Sequence, residues 1–156
     1  MDNQNIIKKK IYNKEELQKI LNIDFDFLII DSFVLESPFK QGIGSLCYNK
    51  SKFYFNAHFI NNPTMPGTLQ TEAMLQTIIS IIYLSDPNIK NCLVTKCKLS
   101  FLDKIDRSSN FQISAKILNY SKGIVEASAS VSLNKKKFSR GEFNFIIPEI
   151  FQLNKK

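Results

Sequence analysis

An α+β fold, in which a curved antiparallel sheet wraps one long central helix, follows from three features of this sequence. The segment Gly67 to Leu84 carries helix signals at both ends and apolar residues almost all the way round. Four segments after it read as strands, two of them alternating apolar and polar residues with the period of a strand. The 156 residues match one domain, long enough to bury a substantial core without disulfides or metals. A helix apolar on all sides needs cover on all sides, and a curved sheet supplies it. Residues 1–156 are therefore read as a single domain.

The elements follow in order. Asn13-Lys14-Glu15-Glu16 ahead of Leu17, Ile20 and Leu21 has the form of an N-cap with an acid three residues on, which predicts a short amphipathic helix over 13–21. Phe25 to Leu35 is a dense apolar run broken by Asp31 and Ser32, expected as a buried strand with a bulge or bend. Gly42 to Tyr48 and Lys52 to Phe55 are expected as a further strand with a break near residues 49–51. Pro66 suits a helix start and Asp86-Pro87 a helix end, which bounds the central helix. Cys92 to Leu102, Asn110 to Tyr120, Ile124 to Leu133 and Lys137 to Ile147 read as four strands in antiparallel succession. Phe111, Ile113, Ala115 and Ile117 alternate, as do Val125, Ala127, Ala129, Val131 and Leu133. Residues 120–123 and 134–136 separate adjacent strands as hairpin turns do.

Composition narrows the function classes. Three cysteines, Cys47, Cys92 and Cys97, form no CxxC pair, and a single histidine leaves little for a metal, so they read as small buried thiols in a reducing cytoplasm. Neither a signal peptide nor a span long enough for a bilayer is visible, which predicts a cytoplasmic protein off the membrane. The net charge of +7 invites an anionic partner. Only Arg107 and Arg140 are arginines, and no aromatic-basic interleaving is present, which speaks against a nucleic-acid binder. The lysine runs at 8–10 and 135–137 read as solvated ends and turns.

The chemistry is concentrated in residues 58–76. His58, the sole histidine, has the side chain best suited to take and return a proton near neutral pH. Glu72 sits on a helix with almost no polar face, where a carboxylate is costly unless paired or protonated. Gln76, one turn on, shares its face and is placed to orient it, with Thr68 and Thr71 as further candidate partners. Pro66-Gly67 opens the helix, where free N–H groups and the helix dipole favour a carbonyl oxygen. A Gly67 N–H with no side chain in the way would polarise that oxygen as an oxyanion hole does.

His58-Phe59, Asn61, Pro63, Pro66-Gly67, Leu69 and Glu72-Ala73-Met74 with Gln76 together resemble the hot-dog-fold 3-hydroxyacyl-acyl-carrier-protein dehydratases of the FabZ/FabA type. Phe25 to Asp31 is similar to that family's early strand. The resemblance implies a hot-dog fold and dehydration of a 3-hydroxyacyl thioester to the trans-2-enoyl thioester. It implies His58 as base at C2, Glu72 as acid toward the C3 hydroxyl, and the Gly67 N–H on the thioester oxygen, with Gln76, Pro66 and Phe59 in support. It implies no metal and no cofactor beyond the phosphopantetheine that carries the substrate, on an acyl carrier protein or as a CoA thioester. The family draws its histidine and its acid from different subunits, which implies a homodimer or higher homo-oligomer. Glutamate at 72 is nearer the FabZ type, which dehydrates without isomerising. An acidic carrier would give the lysine excess a role in steering.

Ala57 and Ile60 depart from the family's glycine and proline beside the histidine, and 101–106 lacks its Pro-Gly. These departures bear on the His58 loop and on the shape of the substrate tunnel, and they leave the pathway open between fatty acid synthesis and a polyketide, glycan or modified lipid. A thioesterase of the same fold and a non-catalytic acyl-binding or scaffold subunit are the competing readings.

Overall fold

The computed structural model describes residues 9–153. The expectations for the extreme N-terminus therefore fall largely outside the described residues. A short strand, β1 (Ile11–Asn13), leads into helix α1 (Lys14–Leu21), whose start matches its sequence signals. The Asn13 side chain accepts from the Glu16 N–H at 2.9 Å, and the Glu16 carboxylate accepts from the Asn13 N–H at 3.0 Å. Two donors that the helix itself leaves unpaired are thereby satisfied.

Residues Phe25–Phe27 form a single 3-10 turn, and β2 begins only at Ser32 and ends at Ser37. The strand expected from Phe25 is thus shorter, because the polar backbone of 27–30 is bonded by a helix side chain described below. Strand β3 (Gln41–Tyr48) is as expected, but Phe53–Ala57 is a short helix, α2, not a strand. Both edges of β3 are already occupied, by β2 and by the strand of residues 109–121, so β3 offers no ladder to residues 52–55. A turn held by Asn49, whose side chain accepts from Ser51 while its carbonyl accepts from the Lys52 N–H, sends the chain into α2 instead.

The central helix α3 (Gly67–Ser85) is followed by β4 (Leu93–Phe101), β5 (Ser109–Ser121), β6 (Ile124–Leu133), β7 (Lys136–Ile146) and the short helix α4 (Pro148–Leu153). All pairings are antiparallel, in the order β1-β2-β3-β5-β6-β7-β4. The last four strands are therefore not in simple succession: β4 leaves its sequence neighbour and takes the outer edge beside β7. The hairpins β5–β6 and β6–β7 are closed by residues at positive φ, Lys122 and Gly123 in one, Asn134 and Lys135 in the other.

Helix α3 lies across β2, β3, β5 and β6. It sits close because the inner face beneath it is built from small residues: one row of the sheet reads Gly42, Ala115, Ala129, Gly141. At Gly44 an added Cβ would stand 2.6 Å from the Thr77 hydroxyl of α3. Phe33, Leu46, Phe111 and Phe143 flank this contact and are fully buried with Met74, Ile78 and Ile81 of the helix. One flank of α3, with Leu69, Leu75, Ile79 and Tyr83, is only partly covered by its own chain, which the all-round apolar pattern did not foresee. The cysteines also differ from expectation: Cys92 is buried, Cys47 is intermediate, and Cys97 lies exposed on β4.

Gly44→Ala should cost about 1–3 kcal/mol by forcing α3 off the sheet. Its thermal midpoint should fall by roughly 5 °C, with partial recovery in the Gly44→Ala/Thr77→Ala double variant. A midpoint equal to that of the parent protein would show that the helix is not seated on Gly44.

Candidate active site

His58 ends α2, and its ring is fixed by the loop that follows. The His58 carbonyl accepts from the Thr64 N–H at 2.6 Å, and its Nδ1 lies 2.8 Å from the Thr64 carbonyl oxygen. A carbonyl only accepts, so Nδ1 carries the proton and Nε2 is left with its lone pair. The Phe59 ring lies against the imidazole with centroids 3.8 Å apart. The tip of this loop is apolar and open to solvent, with Phe59 56% and Ile60 82% exposed.

The loop delivers the chain to Pro66, the N-cap of α3, and Met65 is tied to the far side by its N–H on the Ile105 carbonyl. Neither the Gly67 nor the Thr68 N–H has a hydrogen-bond partner among the described residues, as expected of a helix N-terminus without a capping side chain. Glycine is required at 67 because the Phe101 ring lies against it; a Cβ there would stand 2.8 Å from the ring. His58, Gly67, Thr68, Thr71, Leu99 and Phe101 line one cleft of about 650 Å³, with Asp103 and Lys104 at its rim. The structure thus brings His58 and Gly67 together.

Glu72 does not line that cleft. Its carboxylate accepts from Gln76 Nε2 at 2.9 Å, and burial pushes its pKa above the ordinary value, against the smaller opposing effect of the Gln76 bond. Gln76 is 2% exposed and fully engaged. Its Oε1 accepts from the N–H groups of Ile29 at 2.8 Å and Ile30 at 3.3 Å, and Nε2 also donates to the Phe27 carbonyl at 2.9 Å. The expected pairing of Glu72 with Thr71 is not made: the Thr71 hydroxyl donates to the Gly67 carbonyl at 2.9 Å, and no bond from Thr68 to Glu72 forms. Sequence reasoning missed Thr64 and Phe101. Thr64 acts through its backbone carbonyl, which leaves no mark on residue type, whereas the glycine at 67 was a usable sign that something packs there.

Residues 26–93, which include His58, Gly67, Glu72 and Gln76, match the FabA-like domain. The chain therefore carries a FabA-like domain of the hot-dog fold. Its distant homologues include proteins named 3-hydroxyacyl-[acyl-carrier-protein] dehydratase FabZ. The one from Syntrophomonas wolfei is 26% identical over 150 residues, covering 90% of this chain and 99% of that protein. The one from Alkaliphilus metalliredigens is 39% identical over 64 residues, which span 41% of this chain and less than half, 44%, of the relative. Among solved structures, a hypothetical thioesterase with coenzyme A from Streptococcus pneumoniae superposes with a TM-score of 0.63 at 10% identity, covering 83% of this chain and 95% of that one. At that identity the likeness is one of fold alone. No helix among the described residues is long and apolar enough to cross a membrane.

Two outcomes are expected from the Gln76–Glu72 pair. Gln76→Leu strands the buried N–H groups of Ile29 and Ile30, the part-buried Phe27 carbonyl and the Glu72 carboxyl, and should cost on the order of 2–4 kcal/mol in chemical denaturation. The raised Glu72 pKa means that the folded state holds its proton more tightly than the unfolded state. The stability it contributes is therefore fully present below the ordinary value of 4.5 and is lost as pH rises through the folded value. Denaturation measured across that window should show wild type losing stability relative to Glu72→Gln as pH rises; parallel profiles would contradict the shift.

Proposed function

We propose that this protein dehydrates a 3-hydroxyacyl thioester to the trans-2-enoyl thioester. The observation that carries the reading is the fixed tautomer of His58 in the same cleft as the free N–H of Gly67. In the proposed reaction the thioester oxygen is held by the Gly67 N–H, which stabilises negative charge as C2 loses its proton to His58 Nε2. The C2–H electron pair forms the C2–C3 double bond as the C3–O bond breaks. The departing hydroxyl takes a proton from the Glu72 carboxyl and leaves as water. Transfer of the proton from His58 back to Glu72 through solvent resets the pair. Glu72 suits the acid because burial favours its protonated form. The FabZ relatives are named for 3-hydroxyacyl groups on acyl carrier protein, and this supports that substrate class here.

The acid is supplied by a second copy of the chain. Three observations support this: Glu72 is absent from the His58 cleft, the flank of α3 that bears it is only partly covered, and β4 presents a nine-residue edge with Leu93, Val94 and Phe101 exposed. A long edge strand with apolar side chains calls for a partner.

His58→Ala and Glu72→Gln should each abolish water loss from a short 3-hydroxyacyl thioester followed by mass spectrometry. Mixing the two inactive proteins after reversible unfolding should restore about one quarter of wild-type activity, because half the dimers are mixed and each of those has one intact site. No recovery would place base and acid in the same chain. Full activity in either single variant would defeat the mechanism.

A further inference from the structure

One polar atom at the His58 cleft has no protein partner, and it belongs to a residue that the proposed reaction does not yet use. Gln70 stands on α3 three residues after Gly67, on the same face of the helix, and lines the cleft with Gly67, His58 and Phe101. It is 3% exposed. Its Nε2 donates to the Met65 carbonyl at 3.3 Å, but its Oε1 is buried and accepts from no donor among the described residues. A carbonyl only accepts, so the Met65 oxygen fixes which corner of the carboxamide is the nitrogen and which is the unpaired oxygen. Three other buried side-chain polar atoms among the described residues lack a partner, the hydroxyls of Tyr48, Tyr54 and Ser139, and none of those residues lines this cleft.

Packing alone does not account for a glutamine here. A buried acceptor left unmet destabilises the fold, whereas a methionine or leucine of similar size would not. The bond to Met65 is long for an N–H donor and offsets little of that cost. It does show where the carboxamide lies. Met65 precedes the Pro66 cap, so the side chain is folded back along the helix and its head group sits beside the first turn of α3. In the proposed reaction that is where the Gly67 N–H holds the thioester oxygen.

We infer that Gln70 recognises the C3 hydroxyl of the substrate, which donates to Oε1 while the thioester oxygen is on the Gly67 N–H and C2 faces His58. The inference rests on the dehydratase reading and adds a binding residue to it. The reacting end of a 3-hydroxyacyl group brings one hydrogen-bond donor, the O–H on C3, and the cleft offers one buried acceptor in want of a donor. With its hydrogen on Gln70, the hydroxyl oxygen keeps its lone pairs for the proton from Glu72 and leaves as water. The enoyl product has no such donor, so Oε1 is unpaired again and product is held less tightly than substrate. A plain acyl thioester brings no donor to this place either, and a buried acceptor is what allows a site to reject the analogue that lacks the hydroxyl.

The test reads binding apart from turnover, on the full chain carrying His58→Ala so that the substrate is not consumed. The probes are the two enantiomers of 3-hydroxybutyryl and 3-hydroxydecanoyl thioesters and the matching butyryl and decanoyl thioesters, each on CoA and on a bacterial acyl carrier protein. One 3-hydroxyacyl enantiomer should bind about tenfold more tightly than the acyl thioester without the hydroxyl. Adding Gln70→Met should remove that preference and leave affinity for the plain acyl thioester within about twofold. Gln70→Glu keeps an acceptor oxygen in either protonation state and should keep the preference. Equal affinity for hydroxylated and plain chains overturns the inference, and that comparison needs no Gln70 variant, so it stands even where Gln70→Met does not fold. An equal loss on both kinds of thioester in Gln70→Met also overturns it, because Gln70 then serves only the turn at Met65. Should the wild type leave every 3-hydroxyacyl thioester intact, the reaction assignment fails, and the hydroxyl preference of the His58→Ala protein still decides the role of Gln70.

Discussion

The carboxamide of Gln76 is the polar fixed point around which the site is assembled. A glutamine at 2% exposure on an apolar helix is stable there only if its donors and acceptor are met, and here they are. Its oxygen takes two amides of the segment 29–30, and its nitrogen ties both the Phe27 carbonyl and the Glu72 carboxylate. One side chain thereby docks the approach to β2 onto α3 and fixes the orientation of the acid. The pieces are interdependent: without the 27–30 backbone Gln76 would be free to rotate, and without Gln76 that backbone would be buried unpaired.

A second constraint sets how close α3 lies to the sheet. The row of small residues at Gly42, Ala115, Ala129 and Gly141 leaves room for the helix over the middle strands, and Thr77 rests on Gly44. The same small-residue logic reappears at the helix N-terminus, where Gly67 receives the face of Phe101. Phe101 closes β4, so the position of the edge strand and the shape of the cleft are set together.

These constraints explain what was and was not legible in the residues. The Asn13–Glu16 cap, the limits of α3 and the turns at 122–123 and 134–135 depend on local chemistry, and sequence reasoning placed them closely. Residues 25–31 and 52–55 have strand-like composition, yet their backbones are taken by Gln76 in one case and by an Asn49 turn with no vacant edge on β3 in the other. Periodicity reports which side of a strand is buried, not which strand lies beside it, and so the place of β4 next to β7 was invisible. In the site, His58, Gly67, Glu72 and Gln76 stood out because each is an unusual residue for its surroundings. Thr64 did not, since any residue offers the same carbonyl.

The proposed division of the site between two chains gives the exposed surface and the titration of Glu72 a common origin. Within one chain the carboxyl is already held toward its protonated form, because loss of water outweighs the Gln76 hydrogen bond. The flank of α3 that carries it, with Leu75 and Ile79, is only partly buried. A second chain covering that flank removes more water from Glu72, and desolvation acts further in the same direction. The association that would bring His58 opposite the acid is thus the event that would also ready the acid to give up its proton in the reaction, and proton-donating capacity follows from assembly instead of requiring a separate charged partner.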